Sequence, residues 1–89
     1  MDNIRETEKI IKALANRRRL AILKFLQHKN HARVGSISEE IKLSFKATSK
    51  HLGVLSATGI VESEQFGLGV DYFLKMPVHK LTKTALENF

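Results

Sequence analysis

The segment from Ser44 to Val61 restricts the fold more than any other part of the chain. Its apolar and half-apolar residues recur at spacings of three and four, which places them on one face of an α-helix. The helix is predicted to stop near Gly59, and from Ile60 the period changes to two, as in a β-strand. The inward face carries Phe45, Thr48, Leu52 and Leu55, and the opposite face carries Lys46, Ser49, Lys50 and Gly53.

Three helices are predicted ahead of this segment. The first covers about residues 3–14 and is amphipathic, with an apolar stripe among charged residues. The second runs from Arg17 to about His28 and carries too many large apolar residues for a surface helix, so it should be central and largely buried. A short third helix follows Gly35, where Ser36 and Glu39 have the spacing of a capping box.

The fourth helix is predicted over about 44–57, with Ser44 as its cap. A hairpin over about 60–75 follows, and Pro77 suits the first turn of a last helix over about 77–88. The predicted fold class is therefore mainly α with a small β-hairpin, in the order α-α-α-α-β-β-α. A short helix, a tight turn, a second helix and a hairpin make a winged helix-turn-helix, here expected as one domain spanning 1–89.

Composition narrows the class of protein. Cysteine is absent, which excludes disulfides and thiolate metal sites. No apolar run is long enough to span a bilayer, and the charged N-terminus does not resemble a secretory signal, so we expect a cytoplasmic protein without a membrane partner. The net charge of +6 favours a polyanionic partner, because such a charge steers encounters.

Basic residues are concentrated between residues 16 and 33, where no acidic residue occurs. We interpret this cluster as phosphate contacts, which position a protein on a duplex without reading its sequence. The alternative is a solvated basic face, and Arg19 could instead pair with a carboxylate at the edge of the core. The cluster consists of Arg17, Arg18, Arg19, Lys24, Lys29 and Arg33.

The outer face of the fourth helix combines cationic, small and hydroxyl side chains, which suits a DNA major groove. Lys46 and Lys50 are one turn apart and could donate to guanine or to phosphate. Ala47 could meet a thymine methyl group, and Ser49 a base or the backbone. The alternative is that both lysines only make the helix soluble.

Neither a metal site nor an enzyme is predicted. His28 and His31 lie on either side of a predicted helix end, and His79 and Glu87 are too far apart for one intramolecular site. A metal shared across a dimer axis is the remaining alternative. The sequence shows no nucleophile and base in a recognisable order and no phosphate-binding glycine loop, so we expect no catalytic residues and no cofactor.

The two terminal helices each carry an apolar stripe. In so small a chain these stripes favour pairing with a second copy, although they could simply cover the core. The candidate dimer residues are Ile4, Ile11, Leu14, Val78, Leu81, Ala85 and Phe89.

Two stretches resemble the ArsR-type (arsenical-resistance-repressor-like) winged-helix regulators. Leu14-Ala15 followed by Arg19-Leu20-Ala21-Ile22-Leu23 is similar to the opening signature of that family. Ser49-x-His51-Leu52-x-x-Leu55, followed by Gly59-Ile60-Val61, is similar to its recognition helix and first wing strand. Val70-Asp71-Tyr72-Phe73 resembles the return strand, so the likeness covers roughly residues 10–74.

The resemblance implies a homodimer that binds double-stranded DNA at a pseudo-palindromic operator and represses transcription, with the first and last helices at the dimer interface. It also implies that the start of the fourth helix touches bases and phosphates, and that His51 faces the DNA backbone or packs between helices. Together with the basic cluster, the candidate DNA-binding residues are Ser44, Phe45, Lys46, Ala47, Ser49, Lys50, His51, Arg17, Arg18 and Arg33.

The chain departs from the family pattern at its sensor positions and its wing. It lacks the cysteines of the third helix and the Asp/His set of the last helix that hold metal in well-known members. The wing carries Glu62 and Glu64 and an apolar tip, where family wings tend to carry arginines. An acidic wing favours a second hypothesis, a winged-helix adaptor that binds protein and does not bind DNA specifically.

Overall fold

The computed structural model describes residues 2–89 and contains five helices and three strands within that range. The fold class predicted from the sequence is confirmed: a mainly helical chain carries one small antiparallel sheet. The elements are α1 (Asp2–Leu14), α2 (Arg17–Lys29), β1 (Ala32–Arg33), α3 (Val34–Ile41), α4 (Phe45–Ala57), β2 (Val61–Phe66), β3 (Gly69–Leu74) and α5 (Lys80–Leu86).

The helix α2 lies at the centre of the core, as its apolar content predicts. Ile22, Leu23 and Leu26 are almost completely buried. Asn16 caps the start of the helix, and its side-chain oxygen accepts hydrogen bonds from the backbone N–H groups of Arg18 and Arg19. An asparagine cap satisfies N–H groups that a helix start leaves unpaired, so this residue fixes where α2 begins.

The sheet has the strand order β1-β3-β2, and all of its pairs are antiparallel. Strands β2 and β3 form the predicted hairpin, in register from Val61 opposite Leu74 to Phe66 opposite Gly69. The two residues between them include Gly67 at φ +64°, which a side chain would strain. Beyond Val61, every residue of β2 is exposed, so the hairpin projects from the body of the protein.

The sequence predicted no strand between the second and third helices, where the structure has β1. Ala32 is buried and pairs with Tyr72, so this short strand joins the wing to the helical core. The pairing also sets the start of α3, which begins at Val34 immediately after the strand. The predicted Ser36–Glu39 capping box is therefore wrong: Arg33 occupies the cap position without a side-chain cap bond.

The last helix is shorter than the predicted range of 77–88. It begins at Lys80 and ends at Leu86, and Val78 precedes it. His79 is the cap residue, because its Nδ1 accepts the backbone N–H of Leu81 at 3.0 Å. Pro77 therefore lies ahead of the helix instead of in its first turn.

Candidate nucleic-acid interface

The helix α4 is held on the core by one face and is open on the other. Thr48, Leu52 and Leu55 are fully buried, whereas Lys46 and Lys50 are exposed. The exposed stripe continues along the same side through Gly53, Val54 and Ala57. The periodicity of the segment predicts this division, because residues separated by one and two turns share a helical face.

A short turn positions α4 against α3. Lys42 adopts the left-handed conformation at φ 55°, and the N–H of Leu43 donates to the carbonyl of Ser38. After the turn, the side-chain oxygen of Ser44 accepts the backbone N–H of Ala47 at 3.1 Å and starts α4. This local arrangement is a helix-turn-helix, and it presents the first turn of α4 to solvent.

The first turn of α4 contains an exposed aromatic ring. Phe45 is 61% exposed although it was expected on the inward side of the helix. Ala47 and Ser49 lie half-buried on the flanks of the exposed stripe. A surface with an apolar ring, a methyl group, a hydroxyl and two ammonium groups offers contacts for thymine methyl groups, base edges and phosphates.

The basic cluster is divided between different parts of the molecule. Arg17 is exposed and Arg18 half-buried, both at the start of α2. Arg33 lies instead beside the wing, where its guanidinium donates to the Asp71 carboxylate at 3.3 Å and to the carbonyl of Phe66 at 2.9 Å. Of the cluster, Arg33 alone forms an ion pair among the described side chains, so Arg17 and Arg18 at the start of α2 keep their charge for another partner.

Arg19 has a structural role, an alternative that the sequence left open, but its partners are backbone carbonyls. Its Nε donates to the carbonyl of Ala13 at 2.5 Å and its Nη2 to that of Lys12 at 3.2 Å, at the end of α1. The considered alternative of a carboxylate partner is wrong. The signal that could have indicated this role is the position of an arginine one turn into a helix that directly follows another helix end.

His51 lies half-buried on the flank of α4, with Nδ1 3.3 Å from Nη1 of Arg19. Burial lowers the pKa of His51 below 6.5, and the positive charges of Arg19 and Arg18 lower it further. This residue therefore favours its neutral form and faces α2.

The wing differs in chemistry from α4. Glu62 and Glu64 are exposed on β2. At the tip, Phe66 is 64% exposed and Leu68 is fully exposed. An acidic hairpin with an apolar tip is poorly suited to follow a phosphate backbone.

The apolar residues predicted for the dimer interface fall into three groups. Leu14 is buried in the core of the chain, which removes it from any free surface. Val78, Leu81 and Ala85 are half-buried against that core. The exposed group is Ile4, Ile11 and Phe89, with 70%, 50% and 55% of each residue accessible.

Among the side chains of residues 3–89, no group of three or more histidine, aspartate or glutamate residues could hold a metal ion. Over the same range, no helix is both long enough and apolar enough to cross a membrane.

The model of the ArsR family of bacterial regulatory proteins matches residues 16–63, from the cap of α2 into β2. The chain belongs to the ArsR family. It is a transcriptional regulator with a DNA-binding winged helix, which confirms the resemblance drawn from the sequence. The matched range contains the helix-turn-helix and the first wing strand, so the shared part includes the exposed face of α4.

Known relatives agree with this assignment. The chain is 38% identical over 79 residues to the transcriptional activator HlyU of Vibrio cholerae, an alignment covering 81% of this chain and 72% of that protein. The structure of reduced HlyU from Vibrio cholerae matches with a TM-score of 0.80 and 33% identity, over 98% of this chain and 87% of the other. The homodimeric winged helix-turn-helix domain of Mb0332 from Mycobacterium bovis matches with a TM-score of 0.86 and 26% identity, over 98% and 81%.

Proposed function

We propose that this ArsR-family protein is a homodimer that recognises a specific duplex sequence by placing α4 in the major groove. The observation that carries the proposal is the exposed stripe of α4. Lys46 and Lys50 lie on it one turn apart, and neither forms an ion pair with a side chain of residues 3–89. Lysines donate to guanine O6 and N7 or to phosphate, so this stripe suits base edges bordered by phosphates.

Neighbouring side chains complete the proposed contact surface. Phe45 and Ala47 supply apolar contacts for thymine methyl groups, and Ser44 and Ser49 supply hydroxyls. Arg17 and Arg18 at the start of α2 bind phosphates and set the register of the domain on the duplex. Arg33 contributes less directly, since its guanidinium already binds Asp71 and Phe66 of the wing.

A dimer is supported by the exposed apolar residues of the two ends of the chain. Ile4 and Ile11 are two turns apart and lie on the exposed face of α1, away from its buried residues. Phe89 follows α5, and the ammonium group of Lys24 on α2 lies 5.2 Å from the centroid of its ring. Large exposed apolar side chains such as the two isoleucines are often covered by a partner on so small a domain. Two α4 helices related by a two-fold axis would lie about 34 Å apart, one duplex turn, if their half-sites are adjacent.

We further propose that the dimer acts in the cytoplasm as a repressor, by occupying DNA that overlaps a promoter. HlyU of Vibrio cholerae is named an activator, so the direction is tested directly. Transcription in vitro from a promoter that overlaps the selected operator should fall as protein is added. An increase at the same promoter would contradict repression and leave DNA recognition intact.

The contact residues are tested by comparing Lys46→Ala and Lys50→Ala on a selected operator and on random-sequence duplex. If a lysine reads a base, its replacement by alanine should cost about 1–3 kcal/mol of binding free energy on the operator and much less on random DNA. Lys80→Ala, at the start of α5, is the matched control for loss of one exposed lysine. Equal losses on both duplexes would reassign the residue to phosphate binding.

The acidic, apolar wing favours one alternative, an adaptor that binds a protein partner through Phe66 and Leu68. Salt dependence separates the two functions. Binding through six or more phosphates should weaken by about three decades between 50 and 200 mM salt, whereas apolar binding to a protein should change little.

A further inference from the structure

Three helices meet at a single guanidinium group. Arg19, in the first turn of α2, donates from Nε and Nη2 to the carbonyls of Ala13 and Lys12 at the end of α1. Its Nη1 lies 3.3 Å from Nδ1 of His51 on α4. The end of the proposed dimer helix and the flank of the proposed recognition helix therefore share one side chain.

The contact between Arg19 and His51 exists in only one protonation state. A guanidinium group carries N–H donors and no acceptor. Nδ1 of His51 must therefore accept the bond, which leaves the ring neutral with its proton on Nε2. Protonation of Nδ1 would place two N–H groups against each other and remove the bond.

The surroundings of His51 act in the same direction. Both groups whose charges act on its ring, Arg18 and Arg19, are cations on α2. On α1 the junction offers only backbone carbonyls, while the Nζ of Lys12 pairs with Glu8 at 3.8 Å. On α4 itself the preceding residue is Lys50. These neighbours and partial burial keep the pKa of His51 below its ordinary value.

We propose that Arg19 and His51 are positioning residues that fix α4 against the end of α1, and that protonation of His51 releases this contact and weakens DNA binding. The inference rests on the proposed function, since it concerns the relative placement of two recognition helices. In a dimer joined through its terminal helices, the angle between α4 and α1 within each subunit sets the distance between the two copies of α4. Misplaced helices would lose contacts in one of the half-sites.

The proposal predicts that DNA affinity changes with pH in the direction opposite to that expected if His51 contacted DNA directly. If His51 bound phosphate, acid would add positive charge and tighten binding. If His51 holds α4 through Arg19, acid removes an acceptor and weakens binding. The pH profile of affinity therefore separates a positioning role from a phosphate contact.

The experiment measures affinity at pH 7.5 and pH 5.0, at constant salt, for a duplex selected from random DNA at pH 7.5. His51→Asn offers an amide oxygen near the place of Nδ1 but does not titrate, and His51→Leu offers no acceptor. His28→Asn removes a histidine exposed on the far end of α2 and serves as the matched control.

Between pH 7.5 and pH 5.0, we expect the parent and His28→Asn to lose affinity relative to His51→Asn, by about threefold. A tenfold loss would correspond to a difference of one full pKa unit between the free and the DNA-bound protein. At pH 7.5, His51→Asn should recover the affinity that His51→Leu loses. In DNA-free protein, the NMR titration of His51 should have a midpoint below pH 6.5. Arg19→Met should raise this midpoint, because it removes a neighbouring positive charge.

A parent that gains affinity in acid relative to His51→Asn, or that follows the same profile as that variant, overturns this inference alone. A His51 midpoint at or above 6.5 overturns it as well, without reference to DNA. Failure to enrich any duplex at pH 7.5 overturns the proposed function, and the positioning role with it.

Discussion

Gly53 gives a quantitative test of the structure of α4. It lies in the middle of the exposed stripe, and a Cβ built there meets nothing within 4 Å. Gly53→Ala therefore adds neither a clash nor buried area. Only the difference in helix propensity between glycine and alanine then changes the free energy of unfolding. Alanine is better than glycine in a helix interior by about 1 kcal/mol, so the free energy of unfolding should rise by about that amount.

The assay is urea and thermal unfolding followed by circular dichroism, at one protein concentration because a dimer is stabilised by mass action. For a domain of this size, about 1 kcal/mol corresponds to a rise in Tm of about 4–8 °C. An unchanged or lower Tm would refute the placement of Gly53 on an open helical face.

Gly59→Ala is the matched control for this substitution. A Cβ at Gly59 also meets nothing within 4 Å, but its backbone has φ +75°. The left-handed conformation costs an alanine about 1–2 kcal/mol, so the same chemical change should lower stability here. Equal effects at the two glycines would contradict the helix end at Thr58.

Two further predictions concern buried and titrating groups. Thr48→Val should raise the free energy of unfolding by about 1 kcal/mol, because the buried Thr48 hydroxyl has no hydrogen-bond partner in the part of the chain that the structure describes. Thr58→Val should lower it by about 1 kcal/mol in the same urea assay, because that hydroxyl donates to the carbonyls of Val54 and Leu55. Gains at both positions would refute the reasoning. For His51, a folded-state pKa below 6.5 means that the unfolded chain binds more protons between those two values. The contribution of neutral His51 to folding stability is complete above pH 6.5 and declines as pH falls. The urea midpoint of the parent should therefore fall more in acid than that of His51→Asn. Midpoints that fall in parallel would contradict this prediction.

The sequence predicted those parts of the fold that depend on local periodicity and capping. The inward residues of α4 repeat with the period of a helix, and Ser44 can be identified as its cap because the bond to Ala47 spans three residues. The position of Lys46 and Lys50 on the exposed face follows from the same pattern. The predicted hairpin is likewise a local feature, because only two residues separate its strands.

Features that depend on distant partners could not be predicted in this way. Ala32 becomes a strand residue because Tyr72 pairs with it, forty residues later in the chain. The bond between Arg19 and His51 joins residues 32 apart, and Arg33 reaches Asp71 across 38. Periodicity contains no information about such contacts, which arise only when helices and strands pack.

The central claim is that two copies of α4 read neighbouring turns of one duplex. It is tested most directly by selecting bound fragments from random duplex DNA with the purified protein and sequencing them, with and without added metal. We expect an inverted repeat whose half-site centres lie about 10 base pairs apart, the spacing of one helical turn. Enrichment of single, unpaired half-sites, or of no sequence at all, would contradict the claim.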